Sequence, residues 1–328
     1  MMKNRDEIIK SVQALMAGDV SFDETAESVF NFQLENNSVY GEFARLLDRK
    51  SYAVLPFLPV EMFKSQAVKT GSFEPQVVFT SSGTTGDITS RHYVRETGWY
   101  EEIFTETFRQ AYRYPANYCF LCLLPSYLER DGSSLVYMAE SLIKQSKYDS
   151  SGFYLNANDA LLNRLHENEA SRTPTVLLGV TFALLDLAEK QKLRLSDNTI
   201  VMETGGMKGR RKEMTRPELH GILTAALGVD SIHSEYGMTE LMSQAYSKGD
   251  GIFTLPPQMK IIITDVNDPF EQLGHGRTGT VNIIDLANLD SCAFLATKDL
   301  GRTFSDGTFE ILGRYDHSDV RGCNLLIA

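Results

Sequence analysis

The chain has 328 residues, 42% hydrophobic and 23% charged, with a formal net charge of −11 at pH 7. That length suits one large domain, or one domain with a lobe, and can bury a substantial core. The acidic balance excludes an open nucleic-acid surface and adhesion to an anionic membrane, but not a nucleotide in a local pocket.

Residues 1–70 lean to helix and end in a strap, Pro56-Phe57-Leu58-Pro59 through Phe63-Lys64, which the two prolines predict to be extended. From 71 to 248, short apolar runs alternate with amphipathic stretches. Strands are predicted at 76–80, 118–124, 174–179, 199–203 and 231–235. Helices are predicted after Thr97, from about Ser133, and from Met214 to Leu227 with Gly228 as C-cap. Such alternation implies crossover units and a mostly parallel sheet. From 249 to 328 the runs 258–265, 279–285, 292–297 and 308–312 are joined by turn residues, Asp306-Gly307 among them, and predict a β-rich, barrel-like lobe.

The longest apolar stretch, Thr175 to Ala188, is broken by Gly179, Thr181 and Asp186, and predicts a buried strand and helix rather than a membrane span. The polar N-terminus has no apolar run behind it, so no signal peptide is expected and the cytoplasm is the expected location. Cys119 and Cys122 have metal or redox spacing, but lie in an apolar run without a second pair, which favours core packing. Cys292 is also in an apolar strand, whereas Cys323 sits in Arg321-Gly322-Cys323-Asn324.

Three motifs carry chemistry. Phe79-Thr80-Ser81-Ser82-Gly83-Thr84-Thr85-Gly86 follows an apolar pair, as a strand opening into a loop of glycines and hydroxyls. Such a loop turns several N–H groups and hydroxyls toward one anion, and no Gly-Lys-Ser/Thr makes it a lysine-bearing P-loop. Ser234-Glu235-Tyr236-Gly237-Met238-Thr239-Glu240 lies at the mouth of the last parallel strand, where open α/β sheets bind ligands. There a tyrosine can stack on a purine, a hydroxyl can reach a phosphate and a carboxylate can hold Mg²⁺; the same residues can also be a turn opening a helix. Asp299 and Arg314, flanking one hairpin, can clamp the vicinal hydroxyls of a ribose.

In this order, Ser81–Gly86, Tyr236–Glu240, Asp299–Arg302 and Gly313–Asp316 resemble the signature of the adenylate-forming superfamily of AMP-forming acyl ligases. The resemblance implies the large N-terminal α/β domain of such an enzyme, one continuous adenylation domain across all three segments. The chain departs from the family in two ways. Asp87-Ile88-Thr89-Ser90-Arg91-His92 stands where relatives have Pro-Lys, and the sequence ends at Ala328 without the usual lid domain and its lysine. Both departures resemble the acyl-protein synthetase branch, the luminescence-type partner of fatty acid reductase. So do the Pro56–Lys64 strap, the run ending at His92 and the Arg-Gly-Cys near the C-terminus.

The resemblance implies ATP-dependent activation of a fatty or related carboxylic acid, then transfer to a thiol, with an acyl reductase or another acyl-accepting protein as partner. It assigns Ser81, Ser82, Gly83, Thr84, Thr85 and Gly86 to the β/γ-phosphates, Thr239 to the α-phosphate and Glu240 to Mg²⁺. Tyr236, beside Gly237, would pack on adenine, Asp299 and Arg314 would hold ribose, and Cys323 would accept the acyl group with Arg321 favouring its thiolate. Lys298, Arg302, Lys208 and Arg91 are candidates for the cation that a lid lysine would supply. His92 is a phosphate ligand, a wall of the acyl pocket or a structural residue. Loops at Thr204-Gly205-Gly206-Met207 and Pro125-Ser126-Tyr127 are further candidates for pocket walls. An acyl-CoA ligase of reduced form and a non-catalytic nucleotide- or acyl-binding module are the alternatives.

Overall fold

The computed structural model describes residues 3–81, 88–125, 132–156, 159–206, 211 and 214–315. Three helices open the chain: α1 (Arg5–Ala17), α2 (Phe22–Asn36) and α3 (Ser38–Leu46). Each starts behind a side-chain cap, from Asn4, Ser21 and Asn37 in turn, which supplies an acceptor for a first-turn N–H. The strap follows, as a 3₁₀ turn over Tyr52–Val54, strand β1 (Leu58–Pro59) and a one-turn helix α4 (Met62–Ser65). It is therefore extended only around its prolines. Lys64 lies on a helical turn instead, because nothing after Pro59 forbids one.

The body comprises β2 (Val77–Thr80), β3 (Arg91–Val94), α5 (Thr97–Tyr112), β4 (Cys119–Leu123), α6 (Ser134–Gln145), β5 (Gly152–Tyr154), α7 (Asp159–Ala170), β6 (Thr175–Val180), α8 (Thr181–Lys190), β7 (Thr199–Thr204), α9 (Arg216–Leu227) and β8 (His233–Tyr236). Every residue of β4 and β6 is buried, the pattern of parallel strands covered on both faces. Gly228, at φ 71°, closes α9 in the left-handed conformation that a β-carbon disfavours. The predicted strand at 76–80 is real, but it pairs antiparallel with β3 in its own two-stranded sheet and not with the parallel strands.

The rest is antiparallel: β9 (Ala245–Ser247), β10 (Ile252–Thr254), β11 (Met259–Thr264), β12 (Gly279–Asp285), β13 (Phe294–Thr303) and β14 (Phe309–Arg314). Among the described residues these strands do not close into a separate barrel. They continue the parallel strands in one twelve-stranded mixed sheet, in the order β11-β12-β13-β14-β10-β9-β8-β7-β6-β4-β5, with β1 added parallel to β13. The junction is the antiparallel pairing of β8 with β9, Glu235 opposite Tyr246. β3, β5, β9 and β10 were not predicted; each is only three or four residues long and gives little periodicity to detect. No described helix is long and apolar enough to cross a membrane.

The single tryptophan, Trp99, ties α5 to the loop after β12 by donating from Nε1 to the Ala287 carbonyl, 2.8 Å away. Gln33, fully buried on α2, holds the same loop. Its Nε2 lies within 3.0–3.2 Å of the carbonyls of Asn288, Leu289 and Ser291, and its Oε1 accepts from Ala293 N at 2.9 Å. Replacing it strands these groups away from water, so Gln33→Ala should cost about 2–4 kcal/mol in urea unfolding, well above a surface substitution.

Candidate functional site

The loops that carry the motifs meet where the parallel and antiparallel halves of the sheet join. β2 and β3 bring Ser81 beside Ser90: Ser81 N donates to the Ser90 carbonyl at 3.1 Å, and Ser90 N donates to Ser81 Oγ at 2.9 Å. Ser82, Gly83, Thr84, Thr85 and Gly86 lie outside the described residues, as do Cys323, Arg321, Asp316, Lys208, Met207, Ser126 and Tyr127.

Ser90, just before β3, and His92, within it, are two residues apart and both buried. The Ser90 hydroxyl favours the charged form of the buried Glu240 carboxylate. His92, 1% exposed, brings Nδ1 to 2.8 Å from the Thr239 carbonyl and Nε2 to 3.1 Å from Asn288 Oδ1. Asn288 Nδ2 in turn donates to the Glu240 carbonyl at 2.7 Å. Two successive carbonyls, of the residues expected to face the α-phosphate and the metal, are thus held by His92 and Asn288. Both ring nitrogens of His92 face protein oxygens, to one of which the neutral ring donates, an internal arrangement.

On the other side of the motif, Tyr236 is 9% exposed and its hydroxyl donates to Asp299 Oδ2 at 2.7 Å. Its ring packs edge-on against Phe253 and Phe309, with centroids 5.9 and 5.8 Å away. Asp299 is directly opposite Arg314 in the β13–β14 ladder. The hairpin expected to clasp a ribose is therefore in contact with the tyrosine expected to face adenine. A β-carbon at Gly237 would collide with Glu235 Oε1, so the carboxylate would have to shift to admit a side chain there.

Burial is the largest influence on these acids. It raises Glu240, against the Ser90 hydroxyl and the charges of Arg314 and Lys64, and it raises Asp299, against the Tyr236 hydroxyl, Arg314 and Arg216. Glu235 is pushed up to about 7 by burial, despite the Thr204 hydroxyl, with Glu203 adding like charge.

Of the predicted cations, Lys298 pairs with Glu61 at 2.7 Å, Arg302 pairs with Glu310, and Arg91 is exposed opposite Thr80. Lys64, noted in the sequence only as the end of the strap, is the lysine whose charge reaches Glu240. Ser90 was legible from its spacing to His92. Asn288, in an irregular loop, left no sequence signal.

A Mg²⁺ ion commonly takes one or two carboxylates and completes its octahedron with phosphates and water. No group of three metal-ligating side chains occurs among the described residues.

Burial also lowers the His92 imidazole to about 4, against its two hydrogen bonds. The unfolded chain takes up that proton below about pH 6.5, whereas the native chain refuses it until about pH 4. His92 therefore removes stability as pH falls through this window, by up to about 3 kcal/mol. Glu235 acts with the opposite sign, favouring the native state less as pH rises from about 4.5 to 7. The contribution of His92 is isolated by difference. The stability gap between the native protein and His92→Gln should narrow by up to about 3 kcal/mol between pH 6.5 and 4, read by urea unfolding at fixed ionic strength.

No family model matches the sequence, and no curated protein is similar to it. Solved structures are similar in fold. ATP-bound MatB from Rhodopseudomonas palustris is 16% identical with a TM-score of 0.54, over 76% of this chain and 49% of that one. O-succinylbenzoate coenzyme A synthetase from Bacillus subtilis, in complex with AMP, is 18% identical with a TM-score of 0.50, over 74% and 49%. The amide bond synthetase McbA from Marinactinospora thermotolerans is 18% identical with a TM-score of 0.50, over 73% and 48%. The chain spans about half the length of these proteins and has the α/β fold, built on a large mixed sheet, of the N-terminal domain of adenylate-forming enzymes.

Proposed function

We propose that the chain activates a fatty or related carboxylic acid with ATP and passes the acyl group to Cys323, as an acyl-protein synthetase that serves an acyl reductase or another acyl-accepting protein. The convergence of Tyr236, Asp299 and Arg314 on one side of the 236–240 segment, with Ser81, Ser90 and Glu240 on the other, carries this proposal. It supports a nucleoside held at the hairpin and phosphates directed toward the 81–90 loop.

In the first half-reaction a carboxylate oxygen attacks the α-phosphorus. The bond from that phosphorus to the bridging oxygen breaks, and pyrophosphate leaves with the electron pair. The protein's task is alignment and charge compensation. Asp299 and Arg314 hold the ribose, Thr239 faces the α-phosphate, and Ser81 with the 82–86 loop takes the β/γ-phosphates. His92 and Asn288 fix the 239–240 backbone, and Lys64 and Arg314 oppose the accumulated negative charge. Glu240 and the phosphates would hold a Mg²⁺ ion, which would supply further positive charge. In the second half-reaction the Cys323 thiolate attacks the acyl carbon and AMP departs, leaving a thioester. A free cysteine titrates near 8.5, and Arg321 two residues away favours the thiolate.

Intact-protein mass after incubation with ATP, Mg²⁺ and acids of graded chain length tests this. The expected result is a hydroxylamine-labile acyl adduct that is absent from Cys323→Ser. Glu240→Gln should lower ATP–pyrophosphate exchange by about 10²–10³-fold. Exchange with acyl-CoA formed and no adduct would establish a CoA ligase instead. ATP binding without exchange for any acid would leave a binding module.

A further inference from the structure

Arg216 belongs to none of the motifs, yet it links the two halves of the sheet behind the site. It opens α9 after the Thr215 cap, and its side chain crosses to the antiparallel strands. Nη1 donates to the Ile311 carbonyl of β14 at 2.8 Å, and Nε lies 3.4 Å from Oε1 of Glu203, a nearly buried residue near the end of β7. Its guanidinium lies 5.1 Å from the centre of the Phe253 ring.

The β10–β14 ladder ends with Ile252 opposite Glu310. The next pair in register would be Gly251 with Ile311, but Gly251 turns away at φ 68°, and Arg216 takes the strand at that point. A β-carbon at Gly251 would lie 2.7 Å from Arg216 Cδ, so the glycine gives way to the arginine stem.

From Arg216 two routes lead to the hairpin. One runs through Phe253, which packs on Tyr236, whose hydroxyl holds Asp299. The other runs along β14, where Arg314 follows Ile311 by one turn of the strand pleat and one residue more, and faces Asp299.

We infer that Arg216 is a positioning residue for the nucleotide's sugar. By tying Glu203 on β7 to Ile311 on β14 and bracing Phe253, it fixes Asp299 and Arg314 in the spacing that a vicinal diol requires, and so sets selectivity for ribo- over deoxyribonucleotides. The inference rests on the proposed adenylation. Lysine keeps the charge but lacks the planar fork that reaches a carbonyl, a carboxylate and a ring face together, so Arg216→Lys is expected to behave like Arg216→Met.

The experiment compares ATP with 2′-deoxy-ATP and 3′-deoxy-ATP in pyrophosphate exchange, for the native protein, Arg216→Lys, Arg216→Met and Glu203→Gln. Both Arg216 variants should lose about ten- to a hundredfold of the preference for ATP, with KM for ATP raised and KM for the acid unchanged. Glu203→Gln, which keeps the side-chain shape, should lose part of it. A native preference retained in the folded Arg216 variants overturns the inference, even if their thermal stability falls, because a purely structural brace would lower stability without touching the sugar. Should neither Arg216 variant fold, an unchanged preference in Glu203→Gln overturns it equally. Native protein that neither binds ATP nor exchanges pyrophosphate overturns the adenylation itself and this inference with it.

Discussion

The site depends on hydrogen-bonding an irregular stretch of backbone that runs under other elements. Residues 237–244 lie between β8 and β9 without a ladder of their own, and most of 240–244 is buried. Buried N–H and C=O groups without partners cost free energy comparable to a lost hydrogen bond each. Here side chains supply the partners. Asp285 accepts from Met242 N at 2.8 Å, Ser243 N at 3.0 Å and the Ser243 hydroxyl at 2.7 Å. Asn288 and His92 take the carbonyls before them. With these donors and acceptors held by buried groups, the backbone that presents Thr239 and Glu240 is restrained.

The same arrangement brings the remote N-terminal helices to bear on the site. Asp285 and Asn288 lie at and just after the end of β12, and that loop is held in turn by Gln33 from α2 and Trp99 from α5. Arg5 of α1 adds a bidentate bond to Asp290 at 2.6 and 2.7 Å. The helix-leaning first segment is thus a brace for the loop that positions the motif.

The sequence was readable where a residue's neighbours along the chain decide its role. All five predicted strands of the body exist; the apolar runs in β2, β4, β6 and β7 have few other fates, and the short, more polar β8 follows the α9 helix and its Gly228 cap. The Asp306-Gly307 turn, the Gly228 cap and the Ser133 cap were likewise legible from local chemistry. What failed was partnership. Nothing in Val77–Thr80 announces that it pairs with the short β3 rather than with β4, and nothing in 249–315 announces that its strands extend the sheet instead of closing on themselves. Asn288 and Arg216 were invisible for the same reason: each acts on residues 48 and 95 positions away, respectively, through groups that have no periodicity.

The acids at this junction also bear on what it binds. Glu203 near the end of β7, Glu235 on β8, Glu240 just beyond it and Asp299 within β13 are all largely buried, in a chain already carrying eleven excess negative charges. Buried like charges oppose ionisation, and burial raises three of the four. Glu203 is the exception. Burial opposes it too, but His220 and Arg216 outweigh that and hold its carboxyl below the usual range. The acid whose charged form is favoured is therefore the anchor of the arginine that crosses between the sheet halves, whereas Glu235, Glu240 and Asp299 sit in surroundings that penalise their charge. Under the proposed adenylation, a ribonucleotide would bring hydroxyl donors to Asp299, and its metal ion would bring positive charge to Glu240.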